Sequence, residues 1–228
     1  MDTTLEVRLP VTDYRAHKIP GHSYNGESSR IGSAYVCVSE IPDGLRDWMD
    51  VNPRKPDTKA SSAKEQAKLT GRVARRIINT LETDPSQMAV KNQGIYLLVD
   101  SAESHKASGG QEFLTLKFSD SSRHGIVNGG HTFFAIRQVA DSNGTDLSDA
   151  YVRLHIMQNI DPDEILELAD GLNRAMQVKD KSLDELQGLF QPIKDALKGC
   201  RGEDEVVYAE GDNGVIDVEE MIIRVSML

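Results

Sequence analysis

The run Ile126-Val127-Asn128-Gly129-Gly130-His131-Thr132 gathers residue types that can hold an anion. Two successive glycines let the backbone approach a ligand closely, and a helix that starts just after them presents free N–H groups. Asn128 and Thr132 add short polar side chains, and His131 can donate a hydrogen bond or move a proton near neutral pH. The chemistry that suits such a turn is recognition of a phosphate. The same residues also suit a strand-to-helix turn in which Asn128 and Thr132 cap the helix. Arg54, Arg72, Arg75, Arg76 and Arg174 supply guanidinium forks that match phosphate oxygens or base edges. Hydrolysis would further require a nucleophile or a carboxylate base within reach. Asp100 and Asp120 are the nearest carboxylates along the chain, and both fall at expected strand ends.

Charge is unevenly distributed. Between Arg54 and Arg76 there are eight Lys or Arg residues against two acids, whereas Glu203 to Glu220 holds eight acids and no base. The chain is therefore electrically polarised. The basic window reads as a helix face that is either solvated or in contact with phosphate. The acidic stretch reads as a solubilising surface, or as a mask for the basic face. The formal net charge of -10 excludes a protein whose whole surface is basic, but not one with a local basic face.

The turn must be positioned by a scaffold, and hydropathy patterning outlines one. Leu5–Leu9 alternates before Pro10 and Ala34–Val38 is a short β-rich run, so both read as strands, with Gly21–Gly32 as a loop between them. Ile41 to Gly44 is a turn, followed by a short helical piece over Leu45–Met49. Apolar spacing predicts a helix over Ser62–Leu81, stopped by Asp84-Pro85. Gly94–Asp100 and Phe113–Phe118 read as a hairpin around a polar turn, Ser101–Gly110. Gly125–Val127 is a strand, Phe133–Val139 a helix, and Tyr151–Met157 an alternating, half-buried strand. Asp161 or Asp163 can cap a helix running to about Asn173, with further helices over Ser182–Leu189 and after Pro192. The sum is an α+β (mixed α/β) domain, a central mixed sheet with flanking helices, over residues 1–190. An acidic C-terminal extension, 191–228, follows it, or is the start of a further region.

Other residues are less specific. His155 lies in an alternating strand and reads as packed or surface-exposed; His17 and His22 fall in a loop; His105 and His124 read as solvated. Trp48, between Arg46 and Arg54, suits either the core or stacking on a base. Cys37 and Cys200 are too few and too far apart for a disulfide framework or a zinc pair, so no metal site is expected, and the cofactor is unknown. The longest wholly apolar stretch, Ile95–Val99, is far short of the roughly 18 to 20 residues that cross a bilayer. The N-terminal residues show no secretory signal, so a cytoplasmic location and no membrane partner are expected.

Four spaced matches carry a family resemblance: Asn52-Pro53-Arg54, Asn92-Gln93-Gly94-Ile95, Ile126 to Thr132, and Asn173-Arg174-Ala175-Met176-Gln177. In order and rough spacing they resemble the AIPR family of abortive-infection phage-resistance proteins, over about Ile41 to Leu186. His131 stands where that pattern has a glutamine. The central motif is also similar to the D-G-Q-H-R signature of proteins linked to DNA sulfur modification and, more distantly, to the ParB/sulfiredoxin fold. There, Asn128 replaces the acid and Thr132 the arginine. Chains of the family usually run further, so this one reads as a short relative or a fragment.

The resemblance implies a role in phage defence or in handling foreign or modified nucleic acid, with Asn92, Asn128, Gly129, Gly130, Thr132, Asn173 and Gln177 as matched positions. Gly94 and Arg174 join them as candidate ligand contacts, and Arg54, Arg72, Arg75 and Arg76 as phosphate contacts. The expected partner is DNA, RNA or a nucleotide. Two alternatives stand beside this reading. One is a nucleotide or phosphodiester hydrolase using His131 as acid or base, and the other is a protein-interaction scaffold.

Overall fold

The computed structural model describes residues 4–53, 58–59, 68–69, 72–142, 144–175, 188–208 and 214–226. The chain divides into two compact units, Met1–Leu172 and Asn173–Leu228. The fold class is α+β, with six α-helices among the described residues and a mixed seven-stranded sheet.

The sheet is built from β1 (Leu5–Tyr24), β2 (Glu27–Cys37), β3 (Ile95–Val99), β4 (Ser101–Lys106), β5 (Glu112–Phe118), β6 (Gly125–Asn128) and β7 (Tyr151–Gln158), in the order β4-β5-β1-β2-β7-β3-β6. Only β3 and β7 run parallel. β1 serves two neighbours. Its first part, Leu5–Val11, pairs with β5, and the part from Thr12 onward pairs with β2. The change of partner coincides with a register shift at Asp13, whose φ is +57°, the kind of bulge that bends a strand round a corner.

Five sequence expectations need correction. Gly21–Gly32 is not a loop: both strands of the β1–β2 hairpin run through it and turn at Asn25-Gly26, where φ is +50° and +80°. Those left-handed angles match the two-residue turn whose twist suits a hairpin. Ser101–Lys106 is not a turn but the edge strand β4, and it is β4, not β3, that forms the hairpin with β5. The helix α1 begins at Arg72 and runs to Thr83, whereas Lys68–Leu69 pairs with Thr58–Lys59 in a two-residue ladder. The segment at Asp43–Asp47 is a single 3-10 turn, starting two residues before the expected helical piece. Of the expected helix Ser182–Leu189, Gly188–Leu189 is a turn and the remainder lies outside the described residues.

The order places β3 beside one edge and β4 at the other, yet only Asp100 separates them, so the sheet curls back on itself. Asp100 N–H donates to Lys117 O at 2.8 Å across that closure. Alternate residues of the strands, including Val7, Leu9, Val36, Leu97, Leu116, Leu154 and Ile156, fill the concave side. Onto this core pack Phe133, Ile136 and Val139 of α3 (Gly130–Asp141) and Leu81 of α1. Trp48 is also core, 4% exposed, with its ring 5.4 Å from that of Phe118. On the convex side, Leu98, Val127 and Met157 meet Ile165 and Ala169 of α4 (Ile165–Ala175). β3 is thus apolar on both faces because it is covered on both. Asp161 accepts from Asp163 N at 3.0 Å and starts the turn that leads into α4.

The second unit has its own small cluster, in which Phe190, Val206, Tyr208 and Val218 pack with Ile193, Leu197 and Met221. Its elements are α5 (Gln191–Leu197), a parallel ladder between Val206–Val207 and Ile216–Asp217, and α6 (Val218–Ser226).

Candidate functional site

The glycine turn is held from both sides. Before it, Gly125 has φ +142° and lies so near Trp48 that an added Cβ would come within 2.4 Å of Trp48 O. The next residue fixes the contact, because Ile126 N–H donates to the same Trp48 O at 2.8 Å. β6 is buried throughout and ends at Asn128, whose Oδ1 accepts from Gly129 N at 2.6 Å. Gly129, at φ +89°, then starts α3, its carbonyl accepting from Phe133 N at 3.0 Å.

A second glycine element meets this turn. α2 (Met88–Lys91) ends at Asn92, whose Oδ1 accepts from Gly94 N at 2.8 Å. Asn92 Nδ2 donates to Thr132 Oγ1 at 3.0 Å, and Thr132 Oγ1 lies 3.3 Å from Asn92 Oδ1. Thr132 is 5% exposed, so this pair replaces the water both side chains would otherwise bind. Gly94 has φ +96° and a Cβ there would meet Arg153 O at 2.3 Å, so β3 can enter the sheet beside β7 only with glycine at this point.

Asn92, Gly94, Asn128, Gly129, Gly130 and Thr132 therefore converge, although they come from separate motifs. Asn92 bonds Gly94 and Thr132, Asn128 bonds Gly129, and the arrangement fixes where β3 begins and where α3 starts. His131, the second residue of α3, is half-buried. Asp100 and Asp120 are exposed just beyond β3 and β5. Among the described residues no three His, Cys, Asp or Glu side chains gather as a metal-holding group.

The basic segment lies next to this framework. α1 packs on α3 through Ala74 and Ala135, with Ile77, Ile78 and Phe134 around them. Arg75 and Arg76 are exposed, and no acid occupies the first turn of α1. Arg72 opens the helix. Arg54 and Gln177 lie outside the described residues, and Asn173 and Arg174 fall in the last turn of α4, at the start of the second unit.

A protein-family model described as AIPR protein matches residues 50–224. The chain belongs to the AIPR family. That membership supports a phage-defence role of the abortive-infection type. No curated protein and no solved structure matches the chain. No helix among the described residues is long and apolar enough to cross a membrane.

Of the histidines of the AIPR chain, His124 departs from its sequence expectation, whereas His155 is packed in its strand as expected. His124 is half-buried rather than solvated, because Arg123 N and His124 N both donate to Asp120 O and fold the loop inward. Burial pushes its imidazole below the ordinary histidine value, while the Asp100 charge pulls it back up. The Asp-x-Ser turn, with Ser122 Oγ donating to Asp120 Oδ1 at 2.7 Å, is the sequence signal for this fold-back. His155 stacks on Tyr96 with ring centroids 4.1 Å apart and planes 8° from parallel. Its Nε2 lies 3.1 Å from Gln93 O, and burial lowers its pKa.

Proposed function

We propose that this AIPR-family chain acts in phage defence by binding nucleic acid or a nucleotide, with phosphates meeting the first turns of α1. One observation carries the reading. Arg75 and Arg76 lie exposed near the N-terminal end of a helix that has no acid in its first turn. The helix dipole already makes that end positive, so the arginines add like charge where a carboxylate would ordinarily stabilise. An incoming phosphate relieves the repulsion and gains charge-assisted hydrogen bonds. The glycine turn enters as the frame: it sets where α3 starts, and α3 is the surface on which α1 rests.

The test is fluorescence anisotropy of labelled duplex DNA, single-stranded DNA and RNA, and of a labelled nucleotide, at two salt concentrations. The expected result is salt-dependent binding that weakens in the pair Arg75→Ala and Arg76→Ala. The slope of log K against log salt should fall by about 1 for each phosphate contact removed. Unchanged affinity and slope would take α1 out of the interface. Absence of binding to every probe would end the nucleic-acid and nucleotide reading.

A further inference from the structure

A cavity of about 50 Å³ opens at the carboxyl ends of β3 and β7, walled by Leu98 and Met157 and by four polar residues, Asp100, Arg123, His124 and Asn159. Topology creates it. β3 and β7 are the parallel pair of the sheet, with Val99 opposite Gln158 at their last paired position. From there the chains diverge: β3 turns at Asp100 into β4, which pairs with β5, whereas β7 turns at Asn159 toward α4 on the convex side. A crevice between parallel strands whose connections leave in different directions is where sheets of this kind place ligands. None of these residues belongs to the glycine turn or to α1.

The donors around the cavity are set in advance. Ser119 N–H points at His124 Nδ1 from 3.3 Å. A backbone amide can only donate, so Nδ1 accepts and the neutral ring carries its proton on Nε2. Arg123 rests its guanidinium over the Tyr24 ring, 5.4 Å from the centroid, and its Nε is buried with no hydrogen-bond partner. Asn159 holds a left-handed conformation, φ +54°. It is pinned there by Nδ2 bonds to Tyr24 O at 2.9 Å and Glu27 O at 2.7 Å, and by Ser29 Oγ donating to its carbonyl at 2.7 Å. A strained residue with three tethers makes a wall that does not need to rearrange on binding.

Size and charge select the ligand. A water needs roughly 10 to 15 Å³ of such space, so the cavity has room for a few waters or one tetrahedral oxyanion, not for a base or a sugar. Arg123 supplies the positive charge, and Asp100 is the one acid among the lining residues, exposed at the rim. We infer that this cavity binds a single phosphate group, with Arg123 as the charged partner and His124 Nε2–H as a neutral donor. The inference goes beyond the proposed function, because it uses a different part of the sheet and different residues.

Nuclear magnetic resonance of the full chain tests it. Amide shifts are followed during titration with inorganic phosphate, a nucleoside 5′-monophosphate, and a single-stranded oligonucleotide with and without a 5′-phosphate, against chloride at matched ionic strength. Saturable shifts at Asp100, Arg123, His124 and Asn159 are expected with at least one phosphate probe. The tightest probe tells whether the group comes as a free ion, a nucleotide or a strand end. Arg123→Gln should weaken that binding at least about tenfold, the scale of a lost charge-assisted bond. His124→Gln, with the wild-type spectrum elsewhere, keeps the test independent of any folding defect in the first variant. Asp100→Asn should tighten binding several-fold by removing a repelling charge. No saturable shift with any phosphate probe would overturn the inference, as would equal affinity in Arg123→Gln and His124→Gln, or weaker binding in Asp100→Asn. Arg75→Ala with Arg76→Ala should leave monophosphate binding at this cavity unchanged, so loss of polymer binding in that pair and loss of phosphate binding in Arg123→Gln report on separate proposals.

Discussion

Gly129 and Gly94 stand back to back: a Cβ built on Gly129 would come within 2.6 Å of Gly94 O and 2.9 Å of Ile95 Cα. Two motifs thirty-five positions apart in the chain therefore meet at a contact in which Gly129 cannot carry a side chain. Gly129→Ala combines a left-handed φ with a backbone clash, and a loss of about 2–4 kcal/mol is expected. Urea denaturation measures it. A loss below about 1 kcal/mol would mean that the two elements can part without cost to the fold.

Thr132 and Asn92 should be energetically coupled. Thr132→Val keeps the shape, removes the hydroxyl and leaves a partly buried amide short of its partner, at an expected cost of about 1–3 kcal/mol. A double-mutant cycle with Asn92→Ala should return a coupling of at least about 0.5 kcal/mol. Additive effects would show that the two side chains act separately, and would return both to the list of groups free for a ligand.

The remaining turn glycines should separate by environment. Gly26, at φ +80°, has open space where a Cβ would go, whereas a Cβ on Gly125 would strike Trp48 O. Gly26→Ala should cost only the backbone strain, about 1–2 kcal/mol. Gly125→Ala should cost more, because it also displaces the Ile126 N–H to Trp48 O bond. Equal melting temperatures for the two variants would contradict the close approach of Trp48 to β6.

Stability should fall as the medium becomes mildly acidic. Burial holds His124 and His155 below the ordinary imidazole value, although the Asp100 charge and the Gln93 carbonyl respectively oppose the shift. The unfolded chain titrates near a pKa of about 6.5 and so binds more protons than the fold below that pH. Their contribution is complete above about pH 6.5 and is lost as pH falls through that value toward the lower folded ones. Denaturation between pH 5 and pH 8 should show this slope, and His124→Gln with His155→Gln should flatten it. An unchanged slope in the double variant would assign the acid sensitivity to other groups.

Where hydropathy was periodic, the sequence was a good guide. β3, β6, β7 and α3 fell where their patterns put them, because each buries at least one regular face. The tip of the β1–β2 hairpin does not read as strands because Gly21–Gly32 is rich in Gly and Ser, a composition shared with loops. β4 was hidden for another reason: it is an edge strand, exposed over Glu103–Lys106, so its composition matches that of a turn. The convergence of Asn92 with Thr132 was legible as spaced motifs, but not as a mutual hydrogen bond. The cavity at the ends of β3 and β7 was illegible, since it depends on a parallel pairing between strands some fifty residues apart.

That pairing also governs how the chain can assemble. β7 is the last strand of the seven-stranded sheet in sequence, yet it lies between β2 and β3 and joins the set β4-β5-β1-β2 to the pair β3-β6. A growing chain can form the first hairpins as they emerge, but β3 keeps one edge open until residues 151–158 have been made. Closure must therefore wait for a long-range insertion between two preformed edges, which makes folding slow and exposes apolar strand edges in the interval. Any nascent chain arrested before Tyr151 would present those edges to its neighbours instead of to β7.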